Sequence, residues 1–571
     1  MNWKNKVNRK DLSLLSEEII IDLINNFNES NINLFKENNF NTYDIGLIYR
    51  WPLYMITNIF LERLVRAKYS NKSNFEKIFK VYNFEYKLDT VKVALDFYNN
   101  DHLNKNLLHA LHIILNSNNV NESEIENYVF FDNKIQKIKF TQRLKNKIKN
   151  IRNFFISKKY DDKYFFDDFA QLRYFLPKKN ILIEIPYEQN IINNKTRKCI
   201  SDTAKKIFYN LVDKLNFNLN ESQKNLLSTL FSNLVNYSLP ISLIESLDKR
   251  IIFYKNILDK NSFKNIHSSV GFYYNDNLKI ISFLAKKKDP KINLIWHEHG
   301  SNNFINYFSK DSQIPDFNKG ITPIYYLDYF LFWGKDKLSD KFDNFEEILN
   351  TKIINVGNVY LQSLKESWRR ERNNQDPVLL YSSSPAREYM SNLEEILPED
   401  NIIHQKNIFD FLFTLSLKFK RLKIIYKPFN NTNNLELHKY IKDKNFSTNN
   451  LIISKDKAVK TMKNVDIVLF DTVSSGFSES INIGVPTLVF NNTFDYNNAS
   501  KDGKEINDLL ENNNIIFYNQ EKGLDSIELI LDNPKFFLEK SYDVIKSIKN
   551  LMAHPIKKGE FVNRLKEDNL I

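Results

Sequence analysis

The sequence predicts an α/β protein: two Rossmann-like, doubly wound domains facing a cleft, behind a helix-rich N-terminal region. Three observations predict it. Only Gly46 of the 11 glycines precedes residue 271, and long glycine-free stretches before that point carry helical spacing, as in Leu211, Leu215 and Phe217 followed by Leu226, Leu227 and Leu230. From about residue 178, short apolar runs alternate with helix-length polar segments. The runs are nearly continuous in apolar character, which suits parallel strands covered on both faces.

The elements fall into two series. The first holds ILIEI (181–185), IIFY (251–254), VGFYY (270–274), INLIW (292–296), YFLFW (329–333) and KIINV (352–356). The polar stretch 365–377 reads as a linker. The second series holds VLLYS (378–382), LKIIY (422–426), LIIS (451–454), DIVLF (466–470), PTLVF (486–490) and NIIFY (514–518). The expected division is 1–177 helix-rich, 178–370 an N-terminal Rossmann-like acceptor domain, and 371–571 a C-terminal nucleotide-donor domain ending in helices.

Composition narrows the class. At 571 residues the chain exceeds the roughly 250–300 residues over which one core grows. The single Cys199 excludes an internal disulfide framework and a cysteine metal cluster. No signal-peptide h-region and no long apolar run is visible, so a cytoplasmic protein is expected, with contact at the inner face of the membrane as an added expectation. Lys and Arg number 81 against 69 Asp and Glu, a net charge of +12. That permits anionic partners without choosing among them.

The stretch DIVLFDTVSSGFSESINIGVPTLVF (466–490) is the most informative. Ligands of open parallel sheets bind beyond the carboxyl ends of strands. Asp471, Ser474 and Ser475 stand at such an end, and the amides opening the next helix attract anions. Gly476 leaves room for phosphate at the backbone. Glu479, in or near the first turn, is placed to reach a ribose hydroxyl. Gly484 suits a left-handed helix end and Pro486 a stop. An ordinary capped helix gives the same pattern.

In INLIWHEHGSNNF (292–304), His297 and His299 share a face if the strand continues through them. Two histidines make a poor zinc site, so an acid/base or anion-contacting role is expected for His299 and His297, with Glu298 between them. Gly300, Ser301 and Asn302 follow as acceptor-side candidates. Ser383, Ser384 and Arg387 sit at the end of the 378–382 run, and Lys427 ends 422–426; both suit a phosphate, and both also suit a plain βα turn. Residues 134–159 form a basic amphipathic pattern, read either as a solvated face or as a contact for an anionic membrane. No metal site and no cofactor is expected, and no nucleic-acid motif is present.

Asp466, Ser474-Ser475-Gly476, Glu479 and Gly484-Val485-Pro486 together resemble the donor-binding motif of GT-B glycosyltransferases. Over about 240–530, Glu298-His299-Gly300, Asp328-Tyr329 through Trp333-Gly334 and Asn355-Val356-Gly357 resemble large transferases of bacterial O-antigen and surface-polysaccharide gene clusters. Capsule Kdo transferases and polysialyltransferases are similar at a greater distance. The chain departs from that pattern at Glu298, where Gln is usual. The resemblance implies a metal-independent transferase that takes a nucleotide-sugar donor and a glycan or lipid-linked glycan acceptor. In it the serines and Lys427 hold phosphates, Glu479 holds the ribose, and His299 comes from the first domain. A CDP-glycerol-type polyol-phosphate transferase is the alternative within the fold; a nucleic-acid-binding protein or non-catalytic scaffold is the alternative outside it.

Overall fold

In a computed structural model, the structure describes residues 9–29, 32–69, 101–116, 164–166, 193–299, 326–335, 351–368, 376–386, 398–429, 435–444, 451–498 and 501–571. These fall into two compact units: one reaches His297 and includes 326–329, and the other begins at Glu298. The division lies inside the 178–370 segment.

The first unit opens with helices. They include α1 (Arg9–Glu29), α2 (Thr42–Tyr69), α3 (Asp101–Asn116), α4 (Asn194–Leu211), α5 (Glu221–Ser238), α6 (Leu247–Lys260) and α7 (Asp276–Lys288). Almost every residue of α2 from Asp44 to Ala67 is buried, so it is a core helix rather than an amphipathic one. Its charges are paired: Glu62 bonds Arg63 and Arg66, and Arg63 Nε donates to Asn104 at 2.9 Å. The helix α5 starts at a reciprocal cap between Asn220 and Gln223.

A five-stranded sheet runs in the order β1 (Tyr164–Phe166), β2 (Asn265–Ser268), β3 (Asn293–His297), β4 (Tyr329–Phe332) and β5 (Lys352–Asn355). The β1–β2 and β2–β3 pairings are parallel, with His267 level with Ile295.

Two expected strands of the first series are helical. IIFY lies within α6, whose buried residues Leu247, Ile251, Tyr254 and Leu258 recur at helical spacing while Ile252 is 62% exposed. A four-residue run cannot separate the two periods. VGFYY is largely the helical turn Gly271–Tyr274, and the strand stands instead at 265–268. ILIEI lies outside the described residues.

The second unit contains α8 (Val359–Leu364) and a six-stranded sheet. Its strands are β6 (Val378–Ser382), β7 (Lys423–Lys427), β8 (Leu451–Ile453), β9 (Ile467–Phe470), β10 (Thr487–Phe490) and β11 (Ile516–Phe517), in the order β11-β10-β9-β6-β7-β8. The recorded pairings are all parallel. Every residue of β9 and β10 is buried, which is why these runs carry no polar alternation. The helix α9 (Pro398–Lys418) follows β6, and α10 (Ala458–Met462) and α11 (Ser475–Ile483) flank β9 in the chain. The start of the expected linker is packed structure. Trp368 Nε1 donates to the Val465 carbonyl at 2.8 Å, and the Trp368 amide donates to Ile483 at 3.0 Å.

The described pairings of both sheets are parallel and helices separate the strands in the chain, as in Rossmann-like domains. The N-terminal region is rich in helix.

Candidate functional site at the carboxyl edge of the second sheet

The β6 turn is fixed first. The Ser383 amide donates to the Lys427 carbonyl at 3.2 Å, carrying the β6–β7 ladder one step past the strand. Ser384 then turns toward β9. Its amide donates to both Asp471 carboxylate oxygens, at 2.9 and 2.8 Å, and its hydroxyl donates to Oδ2 at 2.8 Å. From α9, Gln405 and Asn401 donate to the carbonyls of Ser384 and Pro385.

Asp471 is therefore a strut between the β6 and β9 turns. It is 2% exposed, and its oxygens are taken up by Ser384 and by Tyr381, whose hydroxyl lies 3.4 Å away. The donor-binding role expected for it is corrected to a positioning one. Burial raises its pKa to about 6, against the opposing hydrogen bonds from Ser384 and Tyr381.

This has a measurable sign. With a folded-state pKa above the ordinary 3.8, the contribution of Asp471 to stability is complete below that pH and is lost as pH rises through about 6. Asp471→Asn removes the titration. Relative to the parent chain, the variant should gain stability between pH 4 and pH 7, by roughly 3 kcal/mol at most. Denaturant unfolding of both proteins across that range checks it, and parallel pH profiles would exclude the strut as a titrating group.

At β9 the chain leaves the sheet and enters α11 at Ser474. This residue is extended, with φ −131° and ψ 178°, and its side chain makes no cap. The opening amides of α11, at Ser475 and Gly476, have no recorded partner among the described residues. Gly476 has a packing reason: a Cβ there would lie 2.8 Å from the Phe470 ring. Gly484 ends the helix at φ +89°, a left-handed conformation that favours glycine.

Glu479 sits in the second turn of α11 rather than the first. The helix begins at Ser475, one residue later than a Ser474 start would place it. The carboxylate is half-buried and accepts a hydrogen bond at 3.1 Å from the Tyr360 hydroxyl of α8. Burial raises its pKa, and the Tyr360 bond opposes the rise.

Ser383, Ser384, Lys427, Asp471, Ser474, Ser475, Gly476 and Glu479 all line one cavity of about 880 Å³ within the second unit. That is a size typical of small-molecule sites. Arg387 lies outside the described residues. Sequence reasoning missed Tyr360 and four lysines in the β8–α10 segment: Lys455, Lys457, Lys460 and Lys463. The signal is present as KDKAVKTMK (455–463), but in a chain with 81 Lys and Arg a lysine run does not stand out.

The histidine stretch divides three ways. Strand β3 ends at His297, so the alternation that would place His297 and His299 on one face stops there. His299 is exposed. His297 is fully buried, with Nε2 3.0 Å from His267 Nδ1 in β2. Burial first, and then His267, hold its pKa well below the ordinary value. Glu298 is 1% exposed and accepts the Trp333 amide at 2.8 Å, while its own amide donates to the Leu331 carbonyl at 3.0 Å. Burial pushes its carboxyl well above the usual carboxylate range, against the opposing hydrogen bond from Trp333. The catalytic roles expected of His297 and Glu298 are corrected to structural ones, since neither side chain reaches solvent. Gly300, Ser301, Asn302 and the basic stretch 134–159 lie outside the described residues. Among the described residues there is no cluster of metal-ligating side chains, and no helix is long and apolar enough to cross a membrane.

The cavity lies at the carboxyl edge of a parallel sheet, where open α/β sheets bind their ligands. The chain belongs to the LIC12162 family of transferases, whose model matches residues 2–536. Similar solved structures include the UDP-GlcNAc 2-epimerase of Neisseria meningitidis bound to UDP-GlcNAc (15% identity, 57% of this chain and 82% of that one, TM-score 0.37). The epimerase of Methanocaldococcus jannaschii is similar at 16% identity (57% and 80%, TM-score 0.34). An O-GlcNAc transferase mutant of Thermobaculum terrenum is similar at 12% identity (60% and 58%, TM-score 0.31). Among curated proteins, the MATH and LRR domain-containing protein PFE0570w of Plasmodium falciparum is 24% identical over 358 residues. That match takes in 59% of this chain and spans only 3% of the relative's length.

Proposed function

We propose that this transferase is a metal-independent, GT-B-like glycosyltransferase that moves a sugar from a nucleotide-sugar donor onto a bacterial surface glycan of the O-antigen or capsule type. The observation that carries the proposal is the convergence of the α11 N-terminus, Ser474, Ser475, Lys427 and Glu479 on one cavity. The α11 amides and Lys427 face the donor phosphates, and Glu479 accepts from the ribose hydroxyls. As the acceptor oxygen bonds to the anomeric carbon, the bond from that carbon to the phosphate oxygen breaks. Negative charge then grows on the leaving phosphate, where a helix N-terminus and cations stabilise it most. His299, which is exposed, takes the acceptor hydroxyl proton.

A thermal-shift panel of CMP, UDP, GDP, dTDP and CDP-glycerol tests this. One of the four nucleotides should raise the melting temperature, since a ligand at a hundred times its Kd adds about 2.7 kcal/mol to the folded state. Stabilisation by CDP-glycerol above all free nucleotides would move the reaction to polyol-phosphate transfer. A flat panel would remove the nucleotide site altogether.

A further inference from the structure

Five lysines line the α11 cavity: Lys427, Lys455, Lys457, Lys460 and Lys463. Elsewhere in the second unit, lysines stand beside carboxylates, as in Lys406–Glu436, Lys418–Glu528, Lys444–Asp410 and Lys522–Glu511. The four lysines of 455–463 have no such ion pair among the described residues. Lys460 lies within the short helix α10, Lys457 and Lys463 cap its two ends, and all three line the same cavity. Gathering like charges costs free energy, and an unpaired group of them lining a cavity is a cost that an anionic ligand offsets.

The opposing acids are few. Asp456, Asp471 and Glu479 are the lining carboxylates. Asp471 is turned to Ser384 and Glu479 to Tyr360, which leaves Asp456 as the one acid next to the lysine segment. In the proposal the helix N-terminus and Lys427 face the donor diphosphate. The 455–463 lysines are a surplus.

We infer that the β8–α10 lysines form a second anion subsite and that the preferred donor carries an acidic sugar, a carboxylate beyond its phosphates. The inference rests on the nucleotide-sugar proposal and deepens it. An acidic acceptor presents the same chemistry from another source, and the experiment separates the two.

The full chain is titrated with matched pairs: UDP-glucose against UDP-glucuronate, and GDP-mannose against GDP-mannuronate. The acidic member of the bound pair should bind on the order of tenfold tighter, as one added charge contact in a partly solvated site allows. The preference should shrink as salt shortens the screening length. The double variant Lys457→Gln, Lys460→Gln should abolish the preference, weakening the acidic donor more than the neutral one, while the ligand-free melting temperature stays unchanged, both side chains being exposed. Equal binding of the two members overturns the acidic-donor inference alone, and if the double variant then impairs transfer only to an acidic acceptor, the subsite belongs to the acceptor. Failure of every nucleotide sugar and free nucleotide to bind overturns the nucleotide-sugar proposal and the inference with it.

Discussion

Glu479→Ala is expected to lower kcat/KM by on the order of a hundredfold, about 2.7 kcal/mol, while the melting temperature stays nearly unchanged. The first half follows from the proposed ribose contact, since hydrogen bonds to a charged acceptor are the stronger ones. The second follows from the structure without a ligand. There the carboxylate makes one hydrogen bond, from Tyr360, and its burial raises its pKa. Removing it relieves that desolvation, and the half-buried Tyr360 hydroxyl can turn to water. His299→Ala should behave alike, with a loss of about 100- to 10,000-fold if the imidazole is the base. Steady-state kinetics paired with thermal melts of both variants decide the matter. Full activity in Glu479→Ala would end the ribose role, and unfolding of both variants would return the two residues to structural duty.

Glu298 should show the reverse pattern, a large effect on folding. Glu298→Ala orphans the Trp333 amide and opens a void in a site 1% exposed, at a cost of about 2–4 kcal/mol. Glu298→Gln keeps an acceptor of the same shape and should cost less than about 1 kcal/mol. Its effect should also depend on pH. Because burial raises the folded-state pKa above 4.5, the stability tied to this carboxyl is complete below that value and is lost as pH rises through the folded-state pKa. The Gln variant does not lose it, so it should gain on the parent chain with rising pH. Melting curves of the three proteins at acid and neutral pH give the answer, and a Gln variant as unstable as the Ala variant at both would rule out the raised pKa as the source of the effect.

The second sheet was legible because its strands are apolar throughout and stand between helices; all six runs from 378 onward fall on observed strands. The first sheet was harder. Strand β2 reads Asn-Ile-His-Ser, three polar residues in four, and it is buried because His267 meets His297 and Asn265 meets Asn293 across the ladder. Those partners are about 30 residues away, out of reach of any local pattern. IIFY failed for the opposite reason, being too short to show its period. In the cavity, the strand-end serines, Lys427 and Glu479 were found from their spacing. Asp471 was found but misjudged, since only the fold shows its oxygens already occupied. Tyr360 is 119 positions from Glu479, and nothing near it in the chain marks it.

The strand order of the second sheet also bears on how the protein is made. Its inner strand β6 pairs with β9, and the Val378 amide reaches Asp466 across 88 residues. Local contacts cannot nucleate such a sheet; it must wait for distant partners, and parallel pairings of this kind are slow. A nascent polypeptide that has delivered β6, β7 and β8 from the ribosome still has one flank of β6 bare. At about 5–20 residues per second, the stretch from β8 to the end of α11 is only a few seconds of synthesis, yet during that interval the bare flank is a sticky template for other strands. The arrival of β9 and α11 thus closes the bare flank of β6 and supplies a wall of the cavity together, before β10 and β11 extend the sheet.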